Sequence, residues 1–120
     1  MGLTPDELLS KSAEDGRRVT YVDTRLGRVH LRSLMADEYL FYCDETGRGG
    51  INLLLLAYSD EDGNAQCCTR TGKGIWIDEE KGQAFADKLP GDVIDQLIKT
   101  ALSHCFPHTV GDMQRETEKN

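Results

Sequence analysis

The sequence predicts an α+β protein, mainly α-helical, in which a single domain carries an N-terminal β-hairpin and has room for a second short hairpin. Three observations predict it. Residues 18–22 and 28–32, RVTYV and RVHLR, alternate with the period of two of half-buried strands and flank a turn at 23–27. Val93, Ile94, Leu97, Ile98, Ala101, Leu102 and Cys105 fall on one stripe of a long helix. A length of 120 residues suits one hydrophobic core and not two. The expected organisation is one domain over 1–120, with a helix within 1–16 and a weakly ordered tail at 109–120.

Each element has a local cause. Thr4 can cap a helix whose first position suits Pro5, and Glu7 stands at the capping-box offset. That helix, residues 5–13, has only Leu8, Leu9 and Ala13 as an apolar face. It is marginal alone and must dock on its own core or on a neighbouring subunit. Gly16 ends it. In the second hairpin strand Val29 and Leu31 face one side while Arg28, His30 and Arg32 face the other. The result is a basic stripe, read either as a contact surface or as a wet strand face.

Residues 34–44, LMADEYLFYCD, put Leu34 or Met35, Tyr39, Leu40 and Cys43 at helical offsets, with Phe41 and Tyr42 widening the face. The glycines in 45–50 make a loop or hinge. Residues 51–59 are apolar nearly all round and fit a buried helix or a buried strand; leucines in place of β-branched residues favour the helix. A DEDGN turn follows, then two strand-like pieces, 65–69 and 74–78, across the loop 70–73. Asp78 can cap a helix reaching about residue 89, with Phe85, Ala86 and Leu89 as its buried stripe and Gly82 as a weak point. Gly91 and Asp92 open the core helix. Beyond Pro107, Thr109 and Asp112 restart a weak helix before the polar tail.

Composition narrows the function. With 21 acidic against 14 basic residues and a net charge of −7, the mean field repels phosphate backbones and anionic lipid, so no nucleic acid and no membrane is expected as partner. The longest apolar run, residues 51–58, is far shorter than the roughly 20 residues of a membrane helix. The segment beginning Met1, Gly2, Leu3 resembles neither a signal nor a transit peptide, which points to the cytoplasm. Cys43, Cys67, Cys68 and Cys105 form no CxxC pair and read as free thiols in a reducing compartment.

The motifs that carry chemistry are incomplete. Asp60, Asp62 and Asn64 imitate three ligands of a calcium loop, but Ala65 stands where glycine is needed and Thr71 where the bidentate acid is needed. Cys67, Cys68, His104, Cys105 and His108 have zinc-ligand chemistry without a recognised spacing. His104 and Cys105, adjacent on a helix, diverge by about 100° and make no nucleophile–base pair. The loop Arg70, Thr71, Gly72, Lys73, Gly74 lacks the frame of a phosphate loop. No catalytic residue, cofactor or metal is therefore assigned, and an enzyme is not expected.

In their order these parts resemble the tail assembly chaperones of long-tailed bacteriophages and prophages, over about residues 18–120. The resemblance rests on Leu26-Gly27 at the hairpin turn, on Val29-His30-Leu31-Arg32-Ser33-Leu34 leading into Ala36-Asp37-Glu38-Tyr39, and on the apolar run 53–58 followed by Ser59-Asp60-Glu61-Asp62-Gly63-Asn64. It continues through residues 84–89, Pro90 and the helix 93–102 to Glu118-Lys119-Asn120. Residues 67–76 and the Pro107 segment depart from the pattern.

The resemblance implies a non-catalytic factor of the bacterial host cytoplasm. It would bind and solubilise the tape measure protein, help recruit the tail tube protein, and be absent from the finished particle. It also implies that the end at Lys119-Asn120 matches the shorter of two forms that such families make by ribosomal frameshifting. A helical, aggregation-prone client calls for apolar surface on a soluble shell, supplied by a homo-oligomer or by direct acceptance of client helices. Tyr39 and Phe41 are the client-facing candidates, equally readable as core, together with Arg28, His30 and Arg32. The alternative is a structural tail or head-tail completion protein that stays in the virion; a metal-binding regulator is a third reading.

Overall fold

The computed structural model describes residues 2–15, 17–44 and 49–107. A helix, α1 (Pro5–Asp15), precedes a hairpin of β1 (Val19–Thr24) and β2 (Gly27–Arg32). Two helices follow, α2 (Ala36–Asp44) and α3 (Gly50–Ala57), then the short β3 (Tyr58–Ser59). A second hairpin, β4 (Cys68–Thr71) and β5 (Gly74–Ile77), leads into α4 (Glu79–Lys88) and α5 (Gly91–Cys105). The fold is α+β, as expected, with antiparallel sheets of order β1-β2-β3 and β4-β5.

The first hairpin turns in two residues because Thr24 organises the bend. Its Oγ1 accepts the N–H groups of Leu26 and Gly27, both at 3.1 Å, and donates to the Gly27 carbonyl at 2.7 Å. Gly27 takes φ +142°, a backbone conformation that side chains disfavour. The register pairs Thr24 with Gly27 and Val19 with Arg32. Helix α5 lies along this hairpin and is tied to it at both ends. Arg25 forms a two-pronged ion pair with Asp92 at 2.8 and 3.1 Å, Gln96 donates to the Asp23 carbonyl at 3.2 Å, and His104 Nε2 lies 2.9 Å from the Arg18 carbonyl.

Residues 51–59 are both of the alternatives in succession: a helix to Ala57, then two residues that pair with β2, His30 with Ser59 and Leu31 with Tyr58. Leu53, Leu54, Leu55 and Leu56 are all completely buried, since α3 is covered on both sides. Leu53, Leu54 and Ala57 join Leu31, Val93, Leu97 and Ala101. Leu55 and Leu56 join Cys67, Cys68 and Ile77 under the second hairpin. Four leucines at about 1.5–3 kcal/mol each contribute on the order of 6–12 kcal/mol before chain entropy. Gly50 lets this helix approach α5: a Cβ there would lie 2.8 Å from Ile98.

One helical face differs from expectation, and another, open in the sequence, is decided. In α4, Asp78 caps as predicted by accepting the Lys81 N–H at 3.1 Å, but Ala86 is exposed. The inward face is Gly82, Phe85 and Leu89, at offsets of three and seven, and Ala86 lies past its edge. In α2 the residue that is completely buried is Glu38, while Tyr39 and Leu40, and Met35 just before the helix, are exposed. The glycine loop at 45–48, the Thr109 restart and the tail at 109–120 fall outside the described residues.

Candidate functional site

Helix α2 is turned by its glutamate. Glu38 accepts two hydrogen bonds from Arg17, at 2.6 and 2.9 Å, one from Arg32 at 2.9 Å and one from the Met35 N–H at 2.8 Å. Arg32 also donates to the Leu56 carbonyl at 3.1 Å and contacts Cys68 Sγ at 3.2 Å. Drawing a carboxylate inward costs hydration, and four donors on one carboxylate offset that cost. With Glu38 inside, Phe41 and Tyr42, three and four residues on, are the half-buried aromatics. The stripe Met35, Tyr39, Leu40, Cys43 turns to solvent.

The basic stripe is accordingly corrected. Arg32 is 5% exposed and belongs to the Glu38 cluster, not to a contact surface. Arg28 remains outside, where it holds Asp23 at 2.7 Å and stacks its guanidinium 3.9 Å over the Tyr21 ring. The Arg28 hydrogen bond keeps the Asp23 carboxyl below its usual range. His30 meets the same Tyr21 edge-on at 6.3 Å between ring centres. The strand face is thus a small charge-balanced aromatic cluster.

The structure does not bring Tyr39 and Phe41 into one groove. Tyr39 is 46% exposed and leans on Phe106, 5.7 Å away, which also stacks on Tyr42 at 5.8 Å. Its hydroxyl is raised above the ordinary range by a hydrogen bond with Cys43. Phe41, two residues on and so about 200° around the helix, packs against the core under the second hairpin.

Helix α1 supplies a second apolar face. Thr4 and Glu7 close the expected capping box, with the Glu7 N–H on Thr4 Oγ1 at 3.2 Å and Glu7 Oε1 reached by the Thr4 N–H at 3.4 Å. Its residues 5–13 are all exposed, Leu8 and Leu9 included, so the predicted docking does not occur on the protein's own core.

The thiols and loops are engaged in structure. Burial pushes the Cys67 and Cys105 thiols up to about 11 and raises Cys68, so none is a thiolate at neutral pH. Asp60 accepts the N–H groups of Asp62 and Asn64, each at 2.9 Å, and the Asn64 amide at 3.0 Å. Those bonds close the turn and hold the Asp60 carboxyl below its usual range, the Asn64 backbone foremost. Among the described residues no three His, Cys, Asp or Glu side chains are grouped to hold a metal ion, and no helix is long and apolar enough to cross a membrane. Neither a protein-family model nor a curated protein nor a solved structure matches the chain.

Proposed function

We propose that this chain is a non-catalytic assembly chaperone of the phage-tail type, which keeps the tape measure protein soluble in the host cytoplasm and helps recruit the tail tube protein. The observation that carries the reading is apolar surface left outside a finished core: Leu8 and Leu9 on α1, Tyr39 and Leu40 on α2, and Met35 immediately before α2. Single exposed apolar residues are ordinary. Here they cluster, as the adjacent Leu8 and Leu9 and as Met35, Tyr39 and Leu40 within one and a half helical turns, and such clusters can take the apolar face of an amphipathic client helix.

The net charge of −7 complements that surface by keeping the loaded complex dispersed. Helix α1 is the element through which a homo-oligomer would form before the client arrives. In this reading the titratable clusters serve the fold, and neither nucleic acid nor a membrane is a partner.

The experiment is co-expression with the tape measure protein, followed by pull-down and light scattering. A soluble complex that is lost in a folded Tyr39→Ser, Leu40→Ser variant supports the proposal. No complex, together with rings or tubes formed by this chain alone, replaces it with a structural tail or completion protein.

A further inference from the structure

The second hairpin carries the most exposed of the large apolar side chains among the described residues. Trp76 is the one tryptophan of the chain and is 72% exposed in the middle of β5. Strand alternation puts it there: Ile75 and Ile77 turn toward the Leu55 and Leu56 core, so the residue between them faces out. Beside it lies a cleft of about 560 Å³, within the ~300–1,000 Å³ of ligand-holding clefts. Phe41, Ile75 and Ile77 line it, Trp76 walls it, and Asp78, Glu79 and Glu80 at the start of α4 supply carboxylates. A second hollow of about 420 Å³ shares Trp76 and Asp78 as its wall.

We propose that this cleft docks a cationic amphipathic segment of a partner protein. One apolar side chain of that segment rests on the half-buried Phe41 and Ile75, and a neighbouring Arg or Lys lies between the Trp76 ring and the carboxylates. Charge complementarity selects this occupant: an indole face attracts a cation, and adjacent acids in a protein of net charge −7 strengthen that preference. The same charges oppose anionic lipid and nucleic acid. The first hairpin already shows the arrangement, with the Arg28 guanidinium 3.9 Å over Tyr21 and 2.7 Å from the Asp23 carboxylate. Arg70, on the strand paired with β5, is held by Asp37 of α2.

This inference stands apart from the tape-measure reading, because its test uses a model peptide. With one tryptophan, indole emission reports on the cleft directly. The full chain is titrated with a short acetylated helical peptide with one Leu face and one Arg face, and with its Leu/Glu counterpart. The expected result is a saturable blue shift with the Arg peptide and none with the Glu peptide. Affinity should fall at least about tenfold at high salt, and as far in a Glu79→Gln, Glu80→Gln variant whose circular dichroism is unchanged. No shift, equal shifts with both peptides, or undiminished affinity in that variant overturns the proposal. A blue shift produced by raising the protein concentration alone also overturns it, since a second copy would then be the occupant.

Discussion

Arg32 and Glu38 meet at 2.9 Å with both side chains withdrawn from solvent, the arginine 6% and the glutamate 0% exposed. The pair joins the end of β2 to the first turn of α2, and Arg17 grips the same carboxylate from the chain segment before β1. Removing one partner of a buried pair leaves an uncompensated charge, at a cost of about 3–5 kcal/mol. Glu38→Ala strands two arginines and should lose that much by urea denaturation. Arg32→Met leaves Glu38 held by Arg17 and should lose less. A Glu38→Ala loss below about 1 kcal/mol, the range of surface pairs, would show that the cluster does not position α2.

How far the sequence could foresee this depends on the distance over which each cause acts. The Thr4 and Glu7 capping box, the Asp78 cap and the α5 stripe are set by residues three or four apart, and all three stand as read. The apolar segment 51–59 carried no period because α3 is covered on both sides, and Tyr58 and Ser59 become strand only through pairing with β2. Which face of α2 turns inward is not legible locally, because Tyr39 and Leu40 outrank Glu38 in hydropathy and read equally as core or as contact surface. The arginines that draw Glu38 inward stand 21 and 6 residues away along the chain. Trp76 carried no motif, and its outward position follows from what Ile75 and Ile77 bury.

The contrast between Leu97 and Leu40 separates core from contact surface. Leu97 is 2% exposed in the cluster that α5 shares with α3 and β2, so Leu97→Ala should cost about 2–5 kcal/mol and Leu97→Asp should prevent folding. Leu40 is 59% exposed, and Leu40→Ser should change stability by no more than about 0.5 kcal/mol. Thermal melts of the three variants check both. A folded Leu97→Asp would displace α5 from the core.

The thiols give a pH dependence with a definite sign. Cys67 and Cys105 titrate at about 11 when folded against an ordinary 9.0. Between those values the unfolded chain has lost protons that the folded chain retains, so stability is intact below about pH 9 and falls as pH rises toward 11. A Cys67→Ala, Cys105→Ala variant should be less stable at pH 7 through lost packing but show a shallower decline from pH 9 to 10.5, measured by urea midpoints in reductant. At pH 8 a thiol reagent should label the exposed Cys43 first, and the buried Cys67 and Cys68 only after denaturation.

Helix α1 tests whether exposed apolar surface serves the fold or a partner. Leu8 and Leu9 are 55% and 68% exposed, so serine at both should leave the melting temperature within about 2 °C. Isolated helices shorter than about 12–15 residues are marginal in water, and this one has 11. Its helicity should therefore depend on what covers the leucines. If a second copy does, the native chain should gain helical signal and mass as its concentration rises, and the Leu8→Ser, Leu9→Ser variant should remain a monomer over the same range. If a client does, both chains should be monomeric alone and only the native one should gain helix on client addition. Identical behaviour of the two chains in both experiments would remove α1 from the binding surface and leave the exposed stripe of α2 to account for the proposed activity.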